Sequence, residues 1–183
     1  MAQTRALFIS EKYIKNNAEI DDNVDVKKLL PTVWWCQKAY IEKSIGTPLF
    51  NDLMADVIAS TLAGDNLTLV ESYISDALLA WTMHEAQVPM LYNFRNKSVG
   101  KSSSDNSQPI DYVEHRYLKD YYKPRAEYFS QRLEDYLCAN ATLFPLYQTY
   151  TTSDQVRARD TSPSVSVYLG RGRMKHSNGF DFP

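Results

Sequence analysis

Apolar residues along this chain recur mostly at three- and four-residue steps and, in one stretch near its C-terminal end, at every second position. The first spacing marks one face of an α-helix, the second one face of an extended strand. The clearest helical run follows Asp25: Val26, Leu29, Leu30, Val33, Trp34, Tyr40, Ile41 and Ile45 keep the period, with Gln37 as the polar exception on the stripe. Pro31 should tighten or restart the first turn. The run has a marked end, because Gly46 can adopt a positive φ and Thr47 with Pro48 offers an N-cap and an N1 proline. IGTPLF at 45–50 therefore predicts a helix-turn-helix corner.

Upstream, Ser10 can N-cap a short helix over 11–16, and the acidic stretch 19–25 then interrupts the period, so residues 1–23 read as a flap. Downstream, a second helix from Pro48 to about Leu62 uses Leu49, Leu53, Val57 and Ile58, and AGDN at 63–66 should stop it. A capping box at Thr68 and Glu71 should start a third, with Val70, Ile74, Ala77, Leu78 and Trp81 on its face and Pro89 ending or kinking it. NFRNKSVGKSSSDNSQP at 93–109 has no core-forming period and predicts a long mobile polar loop. The last helix opens at Pro109 with Ile110, Val113, Tyr117, Tyr121, Phe129, Leu133, Tyr136 and Leu137 near one stripe. Pro124 should kink or break it after Tyr122.

Beyond Asn140 the helical pattern dissolves, and SVSVYL at 164–169 alternates as a strand does. The expected fold is thus mainly α, a bundle of about four to five helices. Its helical domain covers 24–140, and an extended C-terminal arm holding one short strand covers 141–183. A lone strand cannot form a sheet with itself, so the arm predicts a partner chain. Leu143, Phe144, Tyr147, Tyr150, Val165, Val167, Leu169, Arg171, Arg173, Phe180 and Phe182 are its candidate inter-subunit contacts.

Composition narrows the function classes. With 183 residues, 44% of them hydrophobic, the chain has material for one core and extensions. A net charge of −2 lacks the basic footprint of a dedicated nucleic-acid binder. Positive charge is local: Arg95, Lys97 and Lys101 outnumber Asp105 in the polar loop, and Arg157, Arg159, Arg171, Arg173 and Lys175 outnumber Asp154, Asp160 and Asp181 in the arm. Arg95, Lys97 and Lys101 are the candidate DNA-facing group; the alternative is that such charge only keeps exposed segments soluble. Cys36 and Cys138 lie far apart without CxxC spacing, which favours two buried thiols in a reducing compartment over a disulfide. MAQTRALFISEKY holds no run of signal-peptide length, and no apolar stretch reaches membrane-span length, so a cytoplasm-like location without membrane contact is expected.

Signs of catalysis are weak. Val99-Gly100-Lys101-Ser102 resembles part of a phosphate loop, but Arg95 stands where the first glycine belongs. His84-Glu85 begins a zinc-helix motif whose second histidine is replaced by Val88. The pairs Asp21-Asp22 and Glu134-Asp135 are expected to face solvent. No enzyme activity, cofactor or metal is therefore expected. Tyrosine is more informative: Tyr112, Tyr117, Tyr121, Tyr122 and Tyr128, with Tyr136, crowd one helical segment. They suit a subunit interface or, equally, a tyrosine-rich core with hydroxyls at its edge.

VDVKKLLPTVWWCQKAYIEKSIGTPLFNDL, residues 24–53, resembles the opening of head-to-tail connector (adaptor) proteins of tailed bacteriophages. The shared pattern is an acidic residue before a helix that ends at a glycine turn and a proline-leucine pair, here Gly46, Thr47, Pro48 and Leu49. The order of later elements is similar over 7–150, and the likeness is greatest to the ring proteins of crAss-like phages. The resemblance implies a homo-oligomeric ring of about twelve copies at the head-tail junction of a virion, assembled in the bacterial cytoplasm. It further implies docking on the portal protein and neighbouring tail or ring proteins, around packaged DNA touched without sequence preference. The competing expectation is a soluble helical nucleic-acid-binding or regulatory protein that uses the basic loop and arm.

Overall fold

The polar exception at Gln37 is explained by what lies against it. In the computed structural model, which describes residues 6–21, 24–95, 98–101, 112–147 and 158 (backbone alone for 26, 91–95, 98–101 and 112), Gln37 is fully buried. Its Oε1 accepts from the Phe8 amide at 3.0 Å and its Nε2 donates to the Ala6 carbonyl at 3.3 Å. The residues read as a flap thereby enter the core: Phe8 meets the Phe50 ring edge-on at 5.6 Å, and Ile14 is fully buried. Ile14 lies on α1 (Glu11–Asn17), whose first turn is capped as expected by Ser10, with Oγ accepting from the Tyr13 amide at 3.1 Å.

The architecture is mainly α, a bundle of five helical rods, as the periodicity predicts. After α1, a 3-10 turn (Val26–Lys28) leads into α2 (Leu30–Cys36), so Pro31 restarts the helix within its first turn. α2 continues without a break through a π-helical turn (Gln37–Ile41) into α3 (Glu42–Ile45). At the corner Gly46 has φ 82 and ψ 150, a conformation open essentially to glycine alone, and a Cβ there would lie 3.2 Å from the Ala158 backbone nitrogen. α4 (Thr47–Ala59) follows with Pro48 in its first turn, but the Thr47 hydroxyl donates to Glu42 at 2.8 Å instead of capping the helix.

The boundary after α4 differs from expectation. α4 ends at Ala59 with Ser60 left-handed, and α5 (Gly64–Leu69) starts within the AGDN stretch expected to be a stop. Asp56 stabilises this tight turn by accepting from Thr61 Oγ1 at 3.1 Å and Asn66 Nδ2 at 3.0 Å. Thr68 consequently sits inside the helix and donates to the Gly64 carbonyl at 3.2 Å; the expected capping box does not form. α5 passes through a second π-helical turn (Val70–Ile74) into α6 (Ser75–Leu91), which runs on past Pro89.

Part of the expected polar loop is ordered as a hairpin. β1 (Tyr92–Arg95) pairs antiparallel with β2 (Ser98–Lys101), with Tyr92 opposite Lys101 and Arg95 opposite Ser98. α7 (Tyr112–Ala139) then returns along α6 as one unbroken helix, through Pro124. Pro124 is exposed, so the carbonyl it leaves unbonded can turn to water. α6 is the central rod and packs against both α2 and α7.

Candidate interaction surface

α7 buries a different stripe from the one its spacing suggests. Ala126, Leu133 and Leu137 are fully buried against the bundle, with Phe129 and Tyr136 beside them. Val113, Tyr117 and Tyr128, at 71%, 71% and 64% exposure, look outward with Tyr121. At about 100° per residue these four fall within a narrow band opposite Ala126, so α7 is apolar on two faces. Among the described residues Trp35 on α2 and Ile58 on α4 are further large exposed side chains.

The inner face of α7 is held by polar contacts as well as by packing. Tyr40 stacks on Trp81 with centroids 3.8 Å apart, the Trp81 indole donates to Ser130 Oγ at 2.7 Å, and Tyr40 donates to Glu85 at 2.7 Å. Burial, reinforced by Glu85, pushes the Tyr40 phenol well above its usual range. Ser44 donates to Glu134 Oε1 at 3.1 Å, in a cleft of about 370 Å³ between α3, α6 and α7. Glu134 is buried, which corrects the expectation that the Glu134-Asp135 pair faces solvent; Asp135 alone is exposed and accepts from Gln131. Nearby, Tyr136 stacks on Tyr73 at 3.9 Å, and Arg132 bridges to Asp76 at 3.3 Å. Asp76 also accepts from Tyr13 at 3.0 Å; burial first and this acceptor second raise the Tyr13 phenol to about 12.

At the other side of α7 the N-terminal segment is latched. Arg125 donates to Glu19 at 3.0 Å and Tyr122 donates to the same carboxylate at 3.2 Å. The Arg125 hydrogen bond, as the main cause, holds the Glu19 carboxyl below its usual range. Arg125 also lies 4.3 Å from the Tyr121 ring centre and donates to its hydroxyl. A cavity of about 230 Å³ opens beneath, walled by Leu79, Ala80, Met83 and Phe129.

The tyrosines read as interface or core candidates therefore divide. Tyr117, Tyr121 and Tyr128 are exposed, Tyr122 is half-buried in the latch, and Tyr112 opens α7 with its side chain outside the description. Of the arm, Phe144 and Tyr147 are buried in this chain's own core and Leu143 is exposed. Tyr150, Val165, Val167, Leu169, Arg171, Arg173, Phe180 and Phe182 lie outside the described residues, as does the strand expected at 164–169. Arg95 and Lys101 stand on the hairpin by backbone position, and Lys97 lies outside the description. Cys36 is buried as expected, with burial lifting its thiol to about 12, whereas Cys138 is exposed; neither forms a disulfide. Among the described residues no group of three His, Cys, Asp or Glu side chains is placed to hold a metal, and no single helix is long and apolar enough to cross a membrane.

Fold and surface together define a helical-bundle protein with an aromatic outer face on its longest helix. The chain belongs to a family of unknown function (DUF6712), whose pattern matches residues 41–157, from the π-helical turn before α3 to beyond α7. Neither the curated proteins nor the solved structures contain a match.

Proposed function

We propose that this chain is a structural virion protein, a subunit of a portal-proximal connector ring that joins capsid portal to tail and surrounds the DNA channel. The observation that carries the reading is the outward stripe of Val113, Tyr117, Tyr121 and Tyr128 on α7, aromatic surface of the kind enriched where protein chains meet. The resemblance of residues 24–53 to phage connector proteins supports it and supplies the particular assembly. A ring closes through two unlike faces on each subunit. Exposed Trp35 and Ile58, on helices other than α7, suit the second face. Basic residues of the 93–109 segment suit weak contact with passing DNA, and its partners are further copies, the portal and neighbouring tail proteins.

Co-expression with the portal protein of the same virus, followed by mass measurement and negative-stain imaging, tests this. Closed rings docked on the portal are expected. A single chain that ignores the portal but binds duplex DNA tightly, with a steep salt dependence, would replace the connector by the nucleic-acid-binding reading.

A further inference from the structure

The outward stripe of α7 runs about 22 Å from Val113 to Tyr128. One flank of it carries Arg116, Asp120, Lys123 and Glu127, which fall within about 60° of one another around the helix. Within the chain they pair loosely as neighbours, Arg116 with Asp120 at 3.9 Å and Lys123 with Glu127 at 3.7 Å, and all four are more than half exposed. Their order along the helix is plus, minus, plus, minus.

That order is self-complementary in one orientation alone. When two helices pack antiparallel across a two-fold axis, the same flank of each faces the other. With the axis between Tyr121 and Tyr122, Arg116 falls opposite the partner's Glu127 and Asp120 opposite the partner's Lys123, and symmetry repeats both pairs. The same register sets Tyr117 beside the partner's Tyr128 and Tyr121 near the axis. In a parallel two-fold pairing this flank would face the other flank of the partner's stripe and never its own copy, so the alternation would set no register there.

We infer that a second copy of this chain covers the α7 stripe of the free protein, antiparallel, with the apolar stripe supplying attraction and the alternating flank supplying register. The inference stands apart from the connector reading. A two-fold pair is a closed contact that cannot propagate into a ring, so in a ring-forming protein it would hold subunits back until a portal displaced it.

The test uses the full chain in sedimentation equilibrium and light scattering over a concentration series. The expected result is a shift from one chain to two. One variant carries Arg116→Glu with Lys123→Glu, the other Asp120→Lys with Glu127→Lys; each makes the flank a single sign. Each alone should associate roughly a hundredfold more weakly or not at all, since like charges would then face one another, and an equimolar mixture should recover the pair. Circular dichroism checks that both remain folded. A wild-type chain that stays single at every concentration, reversals without effect on the pair, or a mixture that fails to pair would each overturn the inference. Larger assemblies indifferent to the reversals would overturn it while leaving the connector reading standing, and pairs with no recruitment by the portal would do the opposite.

Discussion

A glutamine buried among apolar side chains is tolerated when both ends of its amide find partners. Gln37 meets that condition by binding backbone on either side of Leu7, which orders the chain ahead of α1. Gln37→Ala should lower unfolding stability by about 2–3 kcal/mol, because it leaves the Phe8 amide and the Ala6 carbonyl unpaired and opens a cavity. Urea unfolding followed by circular dichroism measures this. Gln37→Leu refills the volume but not the hydrogen bonds, so it should recover less than half of the loss. At this scale the sequence marks where something unusual happens, a polar residue on an apolar stripe, but not what it binds. Its partners are 29 and 31 residues away, and no local spacing encodes that separation.

At the scale of the element, α7 shows how far periodicity can be trusted. The stripe read from Val113, Tyr117, Tyr121, Phe129 and Leu133 joins residues that lie on opposite sides of the finished helix, because three- and four-residue steps drift when taken loosely over many turns. Helix existence was legible; which face goes inward depended on α6. Pro124 predicts a kink or a break, yet α7 runs through it: the local penalty of the proline is real, but packing of Ala126, Leu133 and Leu137 outweighs it. Pro124→Ala should restore the bond to the Asp120 carbonyl and raise stability by about 1–3 kcal/mol, less the entropy that proline removes from the unfolded chain. A higher thermal midpoint with unchanged helical signal is the expected outcome, and a lower one would show that the proline shapes a contact worth more than the bond.

For the whole molecule, the phenols that tie the rods together set an alkaline limit. Tyr13 is raised from 10.0 to about 12, and burial raises Tyr40, Tyr122 and Tyr136 as well. With folded values above unfolded ones, the unfolded chain loses these protons first, so their contribution is fully present below pH about 10 and is lost as pH rises through the folded values. Glu19 acts in the opposite sense: its lowered value makes the latch to Arg125 favourable above the ordinary carboxylate range and lost as pH falls through it, with a small effect because the pair is exposed. Thermal midpoints at fixed ionic strength should therefore fall above pH 10, and Tyr13→Phe should make that fall shallower. An identical alkaline slope in the two proteins would remove Tyr13 from the account.

The helical class, the corner at Gly46, the cap at Ser10 and the crowding of tyrosines on one segment all follow from spacing along the chain, because capping, glycine's positive φ and the helical period are local properties. Which tyrosines face outward, that Glu134 and Gln37 are buried and that Phe144 and Tyr147 belong to the core follow from contacts between distant segments. Those contacts exist once α6 lies at the centre with α2 and α7 packed against it. A side chain's burial is a property of its neighbours in space, and the outward stripe of α7 became a candidate surface when the opposite face was filled.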